Sequence, residues 1–260
     1  MTKNKKLIIA NWKLNPKTLK DAKKLFSDIK KVGSTTRNIQ TVICSPSIYI
    51  NELNKMYSGH RVEVGAQDVF WENEGSHTGE ISPVALKSVG AKYVIIGHSE
   101  RRALGETNVD VNKKVVATLK EGLNVVLCIG ESKRDSQALY LKFLQEELES
   151  ALIGVPKNHL KNLIVTYEPV WAIGKTAGDA VSSHQMHEMS IFIKKILIGL
   201  YGKNTMQNVP IIYGGSAEPG NVRELLDKGE VDGFLVGHAS LKASEFNEIL
   251  KITNEKNPRI

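Results

Sequence analysis

The sequence predicts a closed (β/α)8 barrel, built as one domain over residues 1–260. Three observations lead there. Eight short apolar, β-rich runs recur along the chain, and amphipathic stretches of helical period separate them. Dividing 260 residues among eight units leaves about 32 each, the length of a βα repeat, and barrels of this kind typically have about 250 residues.

In chain order, the strand candidates are residues 7–10, 41–44, 62–64, 93–96, 124–129, 163–167, 210–213 and 233–236. Most are near-continuous runs of Val, Ile and Leu, the composition of parallel strands covered on both faces. Helical periodicity marks residues 18–31, 109–121, 139–152, 184–200 and 221–227, several opening at Asp, Asn or Pro. No Pro/Ser-rich linker or long charge run divides the chain. An open doubly wound sheet is the rival architecture. It would usually carry G-x-G-x-x-G after its first strand, where this chain has Asn11-Trp12-Lys13-Leu14-Asn15.

Hydrophobic residues make up 41% and charged residues 24%, enough apolar material for a sizeable core, which excludes a disordered or fibrous chain. The 35 basic and 28 acidic residues leave a charge of +7, favouring anionic partners from a phosphorylated metabolite to RNA. No run approaches the roughly 18 apolar residues of a membrane span, and the basic stretch before the first strand lacks a signal-peptide pattern. A cytoplasmic protein without a membrane partner is expected. Cys44 and Cys128 stand in apolar runs and read as reduced, buried thiols.

In a parallel barrel the residues immediately after each strand converge on one face. Those positions hold Asn11 and Lys13, Gln67, the segment from Gly97 to Arg102, Glu168, Gly214-Gly215-Ser216, and Gly237-His238. The last two groups suit an anion cradle, because glycine lets backbone N–H groups approach a phosphate closely. Either alone could simply turn a strand into a helix. Glu168 can serve as a general base or as an ion-pair partner, and His98 as a proton donor or as a partner for a backbone group. Lys13 can be a fixed cation or a solvated charge. Together they supply the groups needed to remove a proton beside a carbonyl.

Other chemistries match less well. His184 and His187 do not complete a zinc-binding H-E-x-x-H, since Ile191 stands where the second His would be. Gly174-Lys175-Thr176 has Pro169 where a P-loop needs its first Gly. At 6% aromatic content there is no basic-aromatic platform for single-stranded nucleic acid, so neither a metal nor a nucleic-acid partner is expected.

Six motifs are recognisable: Ala10-Asn11-Trp12-Lys13, Gly65-Ala66-Gln67-Asp68, Thr78-Gly79-Glu80-Ile81-Ser82, Gly97-His98-Ser99-Glu100-Arg101-Arg102, the segment from Tyr167 to Gly174, and Tyr213-Gly214-Gly215-Ser216. In that order, over essentially the whole chain, the sequence resembles the triosephosphate isomerases. The resemblance implies a TIM barrel that interconverts dihydroxyacetone phosphate and D-glyceraldehyde 3-phosphate in glycolysis and gluconeogenesis, without metal or organic cofactor. It implies Glu168 as the base, His98 as the electrophile, and Asn11 and Lys13 as substrate-binding groups, Lys13 also offsetting developing charge. Gly174, Ser216 and Gly237 match backbone donors to the phosphate. Glu100 resembles an acid supporting Lys13, and Ile173 and Leu235 resemble apolar walls. The loop that begins at Gln67 and ends at Glu80 resembles one that inserts into a second subunit, implying a homodimer. Two features depart from the family pattern. Lys175-Thr176-Ala177 follow Gly174 directly, and His238 occupies a cradle position where the family commonly has glycine.

Overall fold

The computed structural model describes residues 5–172, 181–203 and 209–255. Its eight strands are β1 (Lys6–Asn11), β2 (Ile39–Cys44), β3 (Val62–Ala66), β4 (Tyr93–Ile96), β5 (Asn124–Ile129), β6 (Leu163–Tyr167), β7 (Ile211–Tyr213) and β8 (Gly233–Val236). All pair in parallel with their neighbours in chain order, and β8 returns to β1, closing the barrel.

Each predicted run is a strand, and the differences lie at the ends. Residues 39 and 40 join β2 although Gln40 is polar, because Ile39 is buried and Gln40 Nε2 donates to Glu63 Oε2 at 3.1 Å on the neighbouring strand. Strand β7 begins after Pro210, which has no N–H to donate to the ladder but whose carbonyl accepts from Val165 N at 3.0 Å.

Alternation along the strands explains why the runs are apolar on both sides. Ile8, Ala10, Ile43, Val94, Ile96 and Leu127 face outward into one cluster with the helices. Leu7, Ile9, Val42, Ile95, Val126, Ile164 and Ile212 fill the barrel interior, together with Cys44 and Cys128. Both cysteines are free, and burial pushes their thiols upward, away from the reactive thiolate.

The helices are α1 (Leu19–Gly33), α2 (Ser47–Asn54), α3 (Pro83–Ser88), α4 (Ser99–Ala103), α5 (Asn108–Lys120), α6 (Leu139–Ala151), α7 (Ser183–Tyr201), α8 (Val222–Asp227) and α9 (Ala243–Asn254) among the described residues. Local chemistry starts several of them. Thr18 accepts from Asp21 N–H to open α1, and full capping boxes, Thr107 with Asp110 and Ser182 with Gln185, open α5 and α7. In α1 the buried face is Ala22, Phe26, Ile29 and Gly33, one stripe of helical period laid on the barrel. The buried face of α6 differs: Leu144, Leu148 and Ala151 share it with the carboxylate of Glu147. Among the described residues no helix is long and apolar enough to cross a membrane.

Candidate active site

The strand ends surround a cleft of about 410 Å³ whose lining includes Asn11, Lys13, His98, Glu168, Ser216, Gly237 and His238. Residues scattered over more than two hundred positions of sequence meet there because parallel strands end on one face.

Asn11 ends β1 and is 5% exposed. Its Oδ1 accepts from Lys13 N–H at 3.0 Å, across a turn in which Lys13 has a φ of 51°. A side chain rarely adopts this left-handed conformation, and it persists only where neighbours enforce it. Here Gln67 Nε2 donates to Lys13 O at 2.9 Å and to Cys44 O at 3.1 Å, while Ser240 Oγ reaches Asn11 O at 3.3 Å. The ammonium is then aimed by Glu100, whose Oε1 lies 2.6 Å from Lys13 Nζ. Groups from four βα units therefore orient one cation.

His98 and Glu168 are 5% and 2% exposed. Backbone N–H of Glu100 donates to His98 Nδ1 at 3.1 Å, which makes that nitrogen the acceptor and places the imidazole proton on Nε2. Nε2 stands 2.9 Å from Glu168 Oε1, and Ser99 N donates to Glu168 Oε2 at 3.1 Å. Glu168 is thus not an isolated carboxylate; both of its oxygens are engaged. Burial opposes charge on His98, but the charge and hydrogen bond of Glu168, with Glu100, outweigh it and move the imidazole above its ordinary value. A second proton would have to sit on Nδ1, against the Glu100 N–H. The hydrogen-bond geometry therefore favours neutral imidazole, and a neutral ligand oxygen in place of the Glu168 carboxylate would remove the main raising cause and leave burial.

Behind Glu168, Val170–Ala172 forms a 3-10 turn tied down by Glu131. Glu131 Oε1 accepts from Trp171 Nε1 at 2.9 Å, Tyr167 OH at 2.8 Å and Arg134 Nε at 3.0 Å. Nothing in the local sequence marks Glu131 or Arg134 as partners of that turn, because they come after a different strand.

On the adjoining wall, Ser216 Oγ donates to Ala172 O at 2.9 Å, joining the loop after β7 to the Trp171 turn. Gly237 precedes a 3-10 turn, His238–Leu241, so no long helix points at this wall from β8, and α8 begins six residues after Ser216. His238 is exposed and is not among the described non-glycine residues with positive φ, which are Lys13, Ala138 and Glu230. Histidine therefore replaces the expected glycine without left-handed backbone. Gly174, Ile173 and Lys175-Thr176-Ala177 lie outside the described residues.

A family model described as Triosephosphate isomerase matches residues 6–253. The protein named Triosephosphate isomerase from Trichlorobacter lovleyi is 42% identical over 250 residues, covering 94% of this chain and 97% of its own length. Those of the same name from Citrifermentans bemidjiense and Thermoanaerobacter sp. (strain X514) are 41% and 39% identical, covering 95% and 94% of this chain and 98% of their own lengths. With a closed eight-stranded barrel and the paired His98 and Glu168 at its strand ends, the match over almost all of both sequences places this chain in the triosephosphate isomerase family.

Proposed function

We propose that this chain interconverts dihydroxyacetone phosphate and D-glyceraldehyde 3-phosphate with Glu168 as base, His98 as electrophile and Lys13 as fixed cation. The chain is an isomerase by family, and the reaction is a step of glycolysis and gluconeogenesis. Glu168 takes a proton from the carbon beside the carbonyl, leaving an enediolate, and returns it to the neighbouring carbon. No atom is gained or lost.

The 2.9 Å contact between His98 Nε2 and Glu168 Oε1, with Nδ1 already occupied by Glu100 N–H, carries this reading. It leaves one N–H aimed at the position where a substrate oxygen enters as the carboxylate turns to the substrate carbon. A neutral donor suits an enediolate oxygen better than an imidazolium, which would surrender its proton too early. Lys13, fixed by Asn11, Gln67 and Glu100, adds positive charge that needs no rearrangement as the oxyanion develops. Asn11 helps hold the substrate. Gly174, Ser216, Gly237 and His238 supply backbone donors to its phosphate, His238 through its main chain.

We also infer a homodimer in the cytoplasm, with the chain acting as one catalytic domain. From 72 to 80 the loop is exposed, with Phe70 stacked on Trp71 at 4.1 Å between ring centres. A 340 Å³ cleft lined by Pro46, Ser47, Gln67, Asp68, Glu80 and Arg101 adjoins it, and Ile48 and Leu104, close in sequence to Ser47 and Arg101, are 77% and 78% exposed. Such apolar exposure fits a surface covered by a second copy. A coupled assay of triose phosphate interconversion, run beside sedimentation analysis, tests both readings. Turnover lost on Glu168→Gln supports the site; absence of turnover in the unaltered protein, with salt-sensitive retention on RNA, would replace it with a nucleic-acid-binding role.

A further inference from the structure

Glu147 is a carboxylate on the otherwise apolar buried stripe of α6, 2% exposed and outside the substrate cleft. Its two oxygens reach Gly130, which lies against Glu168, and Arg102, which holds the turn that carries His98. Oε2 accepts from Gly130 N at 3.0 Å, at the end of β5. Register explains why that glycine matters: Ile129 pairs with Tyr167, so Gly130 lies against Glu168, and a Cβ added at Gly130 would stand 1.7 Å from Glu168 O. Glu168 N in turn donates to Ile129 O at 2.8 Å. The base therefore rests its main chain on a segment whose next amide is held by Glu147.

The other oxygen, Oε1, lies 3.3 Å from Arg102 Nη1. Arg102 Nε donates to Gly97 O at 2.9 Å, and Nη1 also donates to Asn108 Oδ1 at 2.7 Å. Gly97 has a φ of +75° and immediately precedes His98, so its carbonyl orientation sets where the imidazole leaves the strand. One carboxylate thus spans from the main chain under Glu168 to the turn that carries His98.

We propose that the ionised carboxylate of Glu147 is a positioning residue for the isomerisation, fixing Glu168 through Gly130 and His98 through Arg102 and Gly97. The proposal rests on the roles given above to Glu168 and His98. Glu147 is not among the residues lining the substrate cleft, so it touches neither substrate nor phosphate cradle. Loss of its charge loosens reacting atoms and leaves substrate binding in place. Displacements of about 1 Å can cost roughly a hundredfold in rate, and a smaller displacement with retained packing predicts about a tenfold loss.

Burial, assisted by the charges of Glu131 and Glu168, pushes Glu147 up to about 7, against the lowering effects of Arg102 and Gly130 N–H. These are the groups that face it from α4, β5 and the end of β6; Asn108 on α5 is uncharged. Glutamine is the isostere of the protonated acid, so Glu147→Gln and the unaltered enzyme should converge as pH falls. Measure kcat and KM for dihydroxyacetone phosphate, and Kd for glycerol 3-phosphate, from pH 5.5 to 8.5. The expected kcat ratio of unaltered to variant enzyme is about ten at pH 8.5, shrinking toward one at pH 5.5, with KM and Kd within twofold throughout. A residue that merely stabilises the fold would leave kcat per active site unchanged or lower it equally at all pH values. Either result, or a ratio below two at pH 8.5, overturns the proposal. If Glu147→Gln does not fold, the Gly130 amide nitrogen shift in the unaltered enzyme decides: titration near pH 7 supports the link, and a flat response overturns it. Glu168→Gln assayed in parallel separates the two readings, because retained turnover there defeats the assignment of the base itself.

Discussion

Replacing Glu168 by glutamine tests the assignment of the base with little change in shape. The carboxylate accepts from two donors, His98 Nε2 at 2.9 Å and Ser99 N at 3.1 Å. Glutamine has one acceptor oxygen, so whichever donor it satisfies, its NH2 group faces the other. The imidazole cannot relieve the conflict by moving its proton to Nδ1, because Glu100 N–H already points there. A lost hydrogen bond to a charged, buried group costs about 1.5–3 kcal/mol, which sets the expected loss of stability without ligand. Binding a phosphorylated inhibitor displaces the side chain from that strained pair, so affinity should be retained or improve. Turnover should behave in the opposite way. General-base contributions of about 10² to 10⁴ correspond to about 3–5 kcal/mol of barrier, and the amide cannot take the substrate proton. Coupled assay, inhibitor titration and thermal unfolding of the same preparation read all three quantities. Turnover within threefold of the unaltered protein would remove Glu168 from the role of base, and inhibitor binding weakened in proportion to turnover would make it a binding residue.

His98→Ala should lower kcat by about 10² to 10⁴ with a much smaller change in KM, since its N–H is worth most when the enediolate forms; a change confined to KM would make it a binding group. If, as proposed, His238 serves through its backbone, His238→Gly should leave inhibitor affinity superimposable on that of the unaltered protein across pH, after correction for titration of the inhibitor; a gap that widens as pH falls would assign the imidazole to the phosphate. Glu147 offers a stability test with a sign opposite to its activity test. Its native value of about 7 lies above the ordinary 4.5, so its favourable contribution is complete below about 4.5 and is lost as pH rises through 7, by at most about 3 kcal/mol. Thermal unfolding of Glu147→Gln should therefore improve relative to the unaltered protein between pH 4.5 and 8, and a difference independent of pH would show that Glu147 does not titrate in this range.

The barrel was legible in the sequence because its cause is local. Strands covered on both faces need apolar side chains at successive positions, and helices laid on them need one apolar stripe, so both periods are written in the order of residues. The candidate site was legible for a related reason: parallel closure sends every strand end to one face, so Asn11, Lys13, His98 and Glu168 could be gathered from the positions just after each apolar run. Only the tertiary structure decided how these groups face one another. The pairing of Glu168 with His98 and Ser99, the tautomer implied at His98, and the left-handed turn at Lys13 depend on register between strands far apart in sequence. Glu147 shows the boundary most clearly. A carboxylate between Leu144 and Leu148 signals that something polar is buried with it, but Gly130 and Arg102 become its partners only when α4, β5 and α6 pack together. Periodicity specifies which face of an element is buried; distances of about 3 Å between elements are set by closure of the barrel and the packing of helices around it.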